Sequence, residues 1–555
     1  MTFPVVRIFS RKGAKGKVVK KNINIYEAIM KKFYVLFILC ILCISFVSCK
    51  KQEQTLPSAN WDKDRDLPYY AIDGKELSAE EIAAREKACQ AKYSEWQPLF
   101  DGKTLDGWKA SESQDTWKVA DGLLVSGGER SHLFYDGPVG NHDFKNFELK
   151  LQFKLEEGSN SGLFLHTEFD EAASPPKGYE IQINSSSKED RKTGSLFAVR
   201  AIYKDFLTHN EWSNLWLDEW HNLWVKVSEK RIMVKVNDQL LADYVEPENA
   251  PRSRKGRLLS SGTFALQAHD PTTKVAYRDI QVKLLADDQA DAEGDTSYIP
   301  DPDPEFVRRI DQFGSKNIPI IDYHIHLRGD MNLKKSLINQ SKTGIQSGVL
   351  ENAGRDWPLS DNEKIETFIA EAEKYPVYIG LQVNDRDWFT TIDANLIKRL
   401  DYVLADTMIM ADENGNPRKL WLEGEYEIED PEAWMERYFA HCMTVVNEPI
   451  DILANPTYLP DRVAASYDTL WTEERMTQLI EAGIKNNVAF EIQAGTVFPK
   501  EKFIELCKTK GAKFSIGRNN HDDKPMSMDR CFDMMEKFDL KPGDMFRPGV
   551  DTARW

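Results

Sequence analysis

A chain of 555 residues is long for one domain and predicts two globular units with tails. Its net charge of −17 excludes a nucleic-acid surface, which needs a basic face, while 41% apolar residues suffice for ordinary cores. The seven cysteines form neither a metal-knuckle spacing nor a disulfide framework, and the 14 tryptophans offer flat faces for a core or for sugar rings.

Met30-Lys31-Lys32 precedes an apolar run from Phe33 to Val47, the length of a secretory signal core and short for a membrane span. Phe46-Val47-Ser48-Cys49 closes that run and resembles a lipobox. The resemblance implies cleavage before Cys49, lipidation of that residue and a place in the cell envelope, at the periplasmic or outer-membrane face. Residues 1–49 are thus expected to be an export segment, with 1–29 upstream of the true start. Residues 50–94 read as a polar tether and then a short helix over 78–94, with Ser78 as cap and Glu81 at the capping-box position.

From 95 to 286 the pattern is of strands. In 147–155, Phe147, Leu149, Leu151, Phe153 and Leu155 alternate with Glu148, Lys150, Gln152 and Lys154, the period of a half-buried strand. Shorter runs at 223–227, 232–236, 263–267 and 277–284, with Gly and Asn turns between, predict a sandwich or jelly roll. In 178–184, Tyr179, Ile181 and Ile183 share one face, and Glu180, Gln182 and Asn184 share the other. Gln267 and His269 are likewise two apart, and His166 is expected on a face with Phe164 and Gly162.

Several segments resemble the 3-keto-disaccharide hydrolase family. They include Leu99-Phe100-Asp101-Gly102, Asn160-Ser161-Gly162-Leu163-Phe164, Gly178-Tyr179-Glu180-Ile181-Gln182-Ile183, Glu219-Trp220-His221 and Leu266-Gln267-Ala268-His269-Asp270, in order across nearly all of 95–286. The resemblance implies a concanavalin-like sandwich that cleaves or hydrates 3-keto-glycosides. A ketone at C3 acidifies the C2 proton, a base removes it, and the C1 oxygen is expelled. Glu180, His269 and His166 are the catalytic candidates, and Gln182, Gln267, Asn160, Trp212 and Trp216 the substrate-binding ones. Which residue takes the C2 proton is left open, and a two-carboxylate glycosidase ranks below because no second acid is as well placed.

Residues 287–305 are acidic, then Pro-rich, and read as a linker. Beyond it, apolar runs at 318–322, 377–383, 401–405, 450–454, 488–492 and 513–516 alternate with helical stretches at 361–374, 430–446, 473–486 and 500–510. That alternation predicts parallel β/α units over 306–555, as a barrel or an open sheet. Asp322-Tyr323-His324-Ile325-His326 ends the first run with two imidazoles at the end where α/β barrels hold their sites. It resembles the opening of PHP-type and amidohydrolase-like metal-dependent hydrolases, in a degenerate form. Gln382, Met408, Asn455 and Asn519 stand where that resemblance implies ligands, while His521 is kept. The expectation is one divalent metal (Zn, Mn or Mg) on His324, His326 and His521, with Glu351 and Glu491 as helpers, or a barrel that only binds or scaffolds. The whole predicts a jelly-roll sandwich followed by a TIM-like or PHP-like α/β barrel, acting on carbohydrate. The alternative is a lectin-like module attached to a metal-dependent hydrolase.

Overall fold

The computed structural model describes residues 71–89, 95–171, 175, 177–206, 219–252, 256–286, 299–521 and 527–552. The export segment with Cys49, the tether to residue 70, most of the linker, and Trp212 and Trp216 lie outside the described residues. The short helix forms as Ala79–Cys89, and Ser78 and Glu81 cap it reciprocally: the Ser78 N–H donates to Glu81 Oε2 (2.8 Å) and the Glu81 N–H to Ser78 Oγ (3.2 Å).

Among the described residues, thirteen strands build the sandwich: β1 (Gln97–Pro98), β2 (Trp108–Ala110), β3 (Trp117–Ala120), β4 (Leu123–Ser126), β5 (Ser131–Tyr135), β6 (Phe147–Leu155), β7 (Asn160–Thr167), β8 (Tyr179–Asn184), β9 (His221–Ser228), β10 (Arg231–Val236), β11 (Gln239–Val245), β12 (Thr263–Ala268) and β13 (Val275–Leu284). The larger sheet runs β11-β10-β9-β6-β13-β4-β3, with β1 also on β13, and the smaller runs β2-β5-β12-β7-β8. The alternating apolar side of β6 and the Tyr179, Ile181 and Ile183 side of β8 meet in one core between the sheets.

His166 does not keep the alternation that the sequence suggests. Its backbone is left-handed (φ 52°), and the β12–β7 register slips between Thr263 and Ala265. The bulge turns the ring away from the face of Phe164 and packs it edge-on against the core residue Phe147, at 5.8 Å between centroids. There Nε2 meets the Lys145 carbonyl at 2.9 Å, and Nδ1 accepts from the Ser260 N–H. His166 is therefore a core histidine rather than a catalytic one.

The second unit is a closed parallel barrel of seven strands in the order β14 (Ile321–His326), β15 (Gln346–Ala353), β16 (Tyr378–Val383), β17 (Tyr402–Asp406), β20 (Ile452–Ala454), β21 (Ala489–Gln493) and β22 (Phe514–Gly517). A small hairpin, β18 (Ile409–Ala411) with β19 (Pro417–Lys419), stands outside it. Tyr323, Tyr378, Tyr402, Leu404, Ile452 and Phe546 fill the lower interior. Gly380 makes room for Tyr402, since a Cβ there would lie 2.3 Å from the phenol ring.

Buried charge joins sandwich to barrel. Asp311, fully buried on the helix Pro304–Ser315, receives Arg200 (3.2 Å), Arg252 (2.9 Å) and the Tyr244 hydroxyl (2.8 Å) from the sandwich. Next to it, Gly314 lies flush on the Val199 carbonyl, where a Cβ would approach to 2.3 Å. Lys204 of the sandwich reaches Asp401 at 2.6 Å, and the Gln346 amide holds the backbone of Tyr203 and Ala201.

Two expectations follow. Removing Asp311 strands two buried guanidinium groups, so Asp311→Ala is expected to cost roughly 3–5 kcal/mol in chemical denaturation. Glu371→Ala, which breaks an exposed pair with Lys374, is expected to cost less than about 1 kcal/mol. The second concerns pH. Burial pushes His166 down to about 4 from the usual 6.5, so the unfolded chain takes up this proton first as pH falls. Stability is then lost from about pH 6.5 down to about pH 4, by up to ~1.4 kcal/mol per pH unit, and the loss levels off below. Measured against His166→Asn, which keeps a residue tolerant of the left-handed backbone, the unfolding midpoint of the wild type should fall across that window; parallel curves would rule the effect out.

Candidate functional site

The face of the smaller sheet turned away from the core carries the polar residues of β8. Register lines them up across strands: Gln182 lies opposite Gly162 of β7, and Gln267 of β12 lies opposite His132 of β5. Phe164 faces Glu180 on one side and Ala265 on the other, and Ala265 faces Phe134. The result is a polar row beside an apolar one, the latter closed by Ile72 and Phe169.

Glu180 bridges the two rows. A Cβ on Gly162 would meet its Oε1 at 2.9 Å and its Cγ at 3.1 Å, so the carboxylate rests in the space that this glycine leaves. The residue is 5% exposed, and Arg257 Nη2 stands 3.9 Å from Oε2. Gln182 Nε2 donates to Asn160 Oδ1 at 2.6 Å, while Gln182 Oε1 and Gln267 Oε1 are buried without a hydrogen-bond partner among the described residues. Buried amide oxygens without partners are costly, and a ligand's hydroxyl groups would satisfy them.

His132 is the imidazole of this face. It is fully buried, and its Nδ1 lies 2.7 Å from Glu112 Oε2. With Nδ1–H donating to the Glu112 carboxylate, Nε2 is left to accept from Gln267 Nε2 at 3.3 Å. Burial lowers the His132 pKa against the pull of the Glu112 carboxylate, so the ring is neutral at neutral pH. Two strand spacings separate it from Gly162, a gap of roughly 10 Å between the two polar ends, enough for a sugar ring.

Of the residues picked from sequence, Glu180, Gln182, Asn160 and Gln267 come together on this face. His269 lies just past the end of β12, about half exposed and paired with Asp270 (3.3 Å), with its backbone N–H on the Asn160 carbonyl. His132, Glu112 and Arg257 were not singled out. His132 could have been found, since it shares strand parity with Phe134 opposite the core residues Leu133 and Tyr135. Arg257 sits in a loop and has no such signal.

The barrel gathers a second set of polar side chains at the C-terminal ends of its strands. His324 Nδ1 lies 2.7 Å from Glu491 Oε1, and its Nε2 lies 3.3 Å from Gln382 Oε1. Burial opposes a charge on His324, but Glu491, with Asp322 and Asp406, outweighs it and raises the pKa. Burial instead takes His326 down to about 3. His326 Nδ1 lies 3.4 Å from Glu351, which Arg328 grips with Nε at 2.9 Å from both oxygens. His521, exposed, stacks on His326 with centroids 4.3 Å apart.

These side chains do not fit the expected ion. Among the described residues no three His, Cys, Asp or Glu side chains form a group that could hold a metal. The reasons are local. A guanidinium occupies the Glu351 carboxylate, Glu491 is spent on His324, and an amide stands at 382. The set His324, His326, His521, Glu351 and Glu491 is thus a network of pairs rather than a coordination shell.

Comparison with known proteins bears on the sandwich. Residues 95–283 match the model of the 3-keto-alpha-glucoside-1,2-lyase-like domain. The 3-keto-disaccharide hydrolase of Bacteroides thetaiotaomicron (strain VPI-5482) is 29% identical over 143 residues, which cover 24% of this chain and 48% of that protein. The chain therefore spans about half the length of this curated relative. A solved structure from Parabacteroides distasonis, described as a candidate glycosyl hydrolase, is similar at 22% identity, over 38% of this chain and 99% of that one, with a TM-score of 0.29. A Bacillus subtilis protein with a galectin-like fold is similar at 14% identity, over 35% of this chain and 96% of that one, with a TM-score of 0.26. The family match falls on the sandwich alone, and it is to the family that the sequence motifs of that domain resemble.

Proposed function

We propose that this protein acts at the cell envelope, anchored through Cys49, and that its sandwich cleaves 3-keto-glycosides by elimination followed by hydration. The observation that carries this reading is the Glu180 carboxylate, held over Gly162 within a buried polar row and faced across the sheet by a neutral His132. In the first step Glu180 takes the proton from C2 of the sugar. The C2–H electrons form an enolate with the C3 carbonyl, and Arg257 beside Glu180 offers N–H groups to its oxygen. The enolate collapses to a C1–C2 double bond, the C1–O bond breaks, and its electron pair leaves with the glycosidic oxygen. That oxygen receives the proton held on Glu180, which releases an alcohol and a 3-keto-2-hydroxyglucal. In the second step water adds across C1–C2: Glu180 removes a proton from the water, the oxygen bonds to C1, and the proton returns to C2. The unpartnered oxygens of Gln182 and Gln267 accept hydroxyl groups of the sugar.

The test is incubation of the purified protein with 3-keto-glucosides and their unoxidised parents, with mass spectrometry for the 2-hydroxyglucal. Turnover of the parents alone would refute the proposal. Glu180→Gln is expected to reduce turnover by roughly a hundredfold or more, the usual scale of a lost general base, while sugar binding by calorimetry persists. Binding by the wild type with no turnover of any glycoside would favour the lectin-like alternative. Gly162→Ala puts a methyl group 2.9 Å from Glu180 Oε1 and is expected to lower the rate by about tenfold or more with the unfolding midpoint little changed. An unchanged rate would mean that the reacting carbon lies elsewhere.

A further inference from the structure

The barrel's mouth takes no part in the reaction proposed for the sandwich, yet it is built like a site. On β21, Glu491 and Gln493 point inward, while Phe490 and Ile492 join the core between strands and helices. Asn455 follows β20 in a left-handed conformation (φ 48°), and its backbone N–H donates to Glu491 Oε2 at 3.1 Å. His326 ends β14, its ring 5.3 Å from that of His324. Gln493, Asn455 and His326 are at most 3% exposed. Each holds a buried polar atom with no hydrogen-bond partner among the described residues: Gln493 Oε1, Asn455 Nδ2 and His326 Nε2. Leaving one such group unsatisfied costs about 1–3 kcal/mol, and three around one opening argue for an occupant.

The chemistry of the occupant follows from what these atoms lack and from the charges around them. An amide presents a donor at one end and an acceptor at the other, so two amides and an imidazole ask for groups that both give and take hydrogen bonds. Hydroxyl groups do this. Most charged side chains there come in pairs among the described residues, Arg328 with Glu351, Arg518 with Asp322 (2.5 Å), Arg386 with Glu448 (3.1 Å) and His324 with Glu491, while the Asp406 carboxylate accepts from the Gln382 amide (2.7 Å) and the Met408 N–H (2.9 Å). An ionised ligand would therefore find its counter-charge already taken, and a metal would find its carboxylates committed.

We propose that the barrel mouth binds a neutral polyhydroxylated compound, of the sugar or polyol class, without a metal. This site is separate from the sandwich face and does not depend on the reaction assigned to it. The experiment uses the full chain after dialysis against EDTA. Calorimetry and saturation-transfer NMR are run with D-glucose, D-galactose, myo-inositol and glycerol, and with acetate and phosphate as anionic probes. The expected result is binding of at least one neutral probe that EDTA leaves in place. Asn455→Asp, which keeps the shape, and Gln493→Leu, which removes the amide, should each weaken it by about tenfold or more. A crystal soaked with the bound probe, showing it against Gln493 and Asn455, keeps the test open if either variant folds poorly. The proposal is overturned if only acetate or phosphate binds, if the chelator removes binding, if both variants fold and bind as the wild type does, or if only water occupies the soaked crystal.

Discussion

Gly162 faces Gln182 across the ladder between β7 and β8, and that pairing decides where the Glu180 carboxylate can rest. Any larger side chain at 162 would occupy the space, and the carboxylate would have to swing off the polar row. The same ladder holds Tyr179, Ile181 and Ile183 in the core, so burying one side of β8 presents the acid on the other. Hydrophobic packing and the chemistry of the face are thus two sides of one register. His132 is set by the same rule on β5, where Leu133 and Tyr135 anchor the opposite side.

The two domains treat buried charge differently. On the sandwich face the polar row keeps amide oxygens unpartnered among the described residues. Between sandwich and barrel, Asp311 is met by two arginines and a tyrosine, and the charge ties the units together. In the barrel mouth carboxylates and cations have paired with one another, as Arg328 and Glu351 show. A carboxylate gripped by a guanidinium is a poor ligand for a second cation, so the His324–His326 signature sits in a setting different from the one its spacing implies.

The legible parts of the fold were those with a clean period. The strand predicted over 147–155 is β6, and the helices predicted over 430–446 and 500–510 form as Pro431–Val446 and Glu501–Lys510. The strand β15 was missed, because Gln346-Ser347-Gly348 opens it with no apolar alternation; it is a strand because both its neighbours in the barrel pair with it. His166 was misplaced for the converse reason: its parity was right for an unbroken strand, and a bulge broke the strand.

By itself the sequence determined that a strand-rich part precedes alternating β/α units, and the sidedness of β8 that puts Glu180 and Gln182 on one face, since these depend only on local period and on apolar side chains seeking a core. Tertiary structure alone decided which groups meet there. His132 and Arg257 lie 48 and 77 residues from Glu180 along the chain, and only sheet order and loop path bring them to its face. It also decided that the barrel histidines face carboxylates already engaged, because a partner's commitment is a matter of distance, which spacing along a chain does not encode.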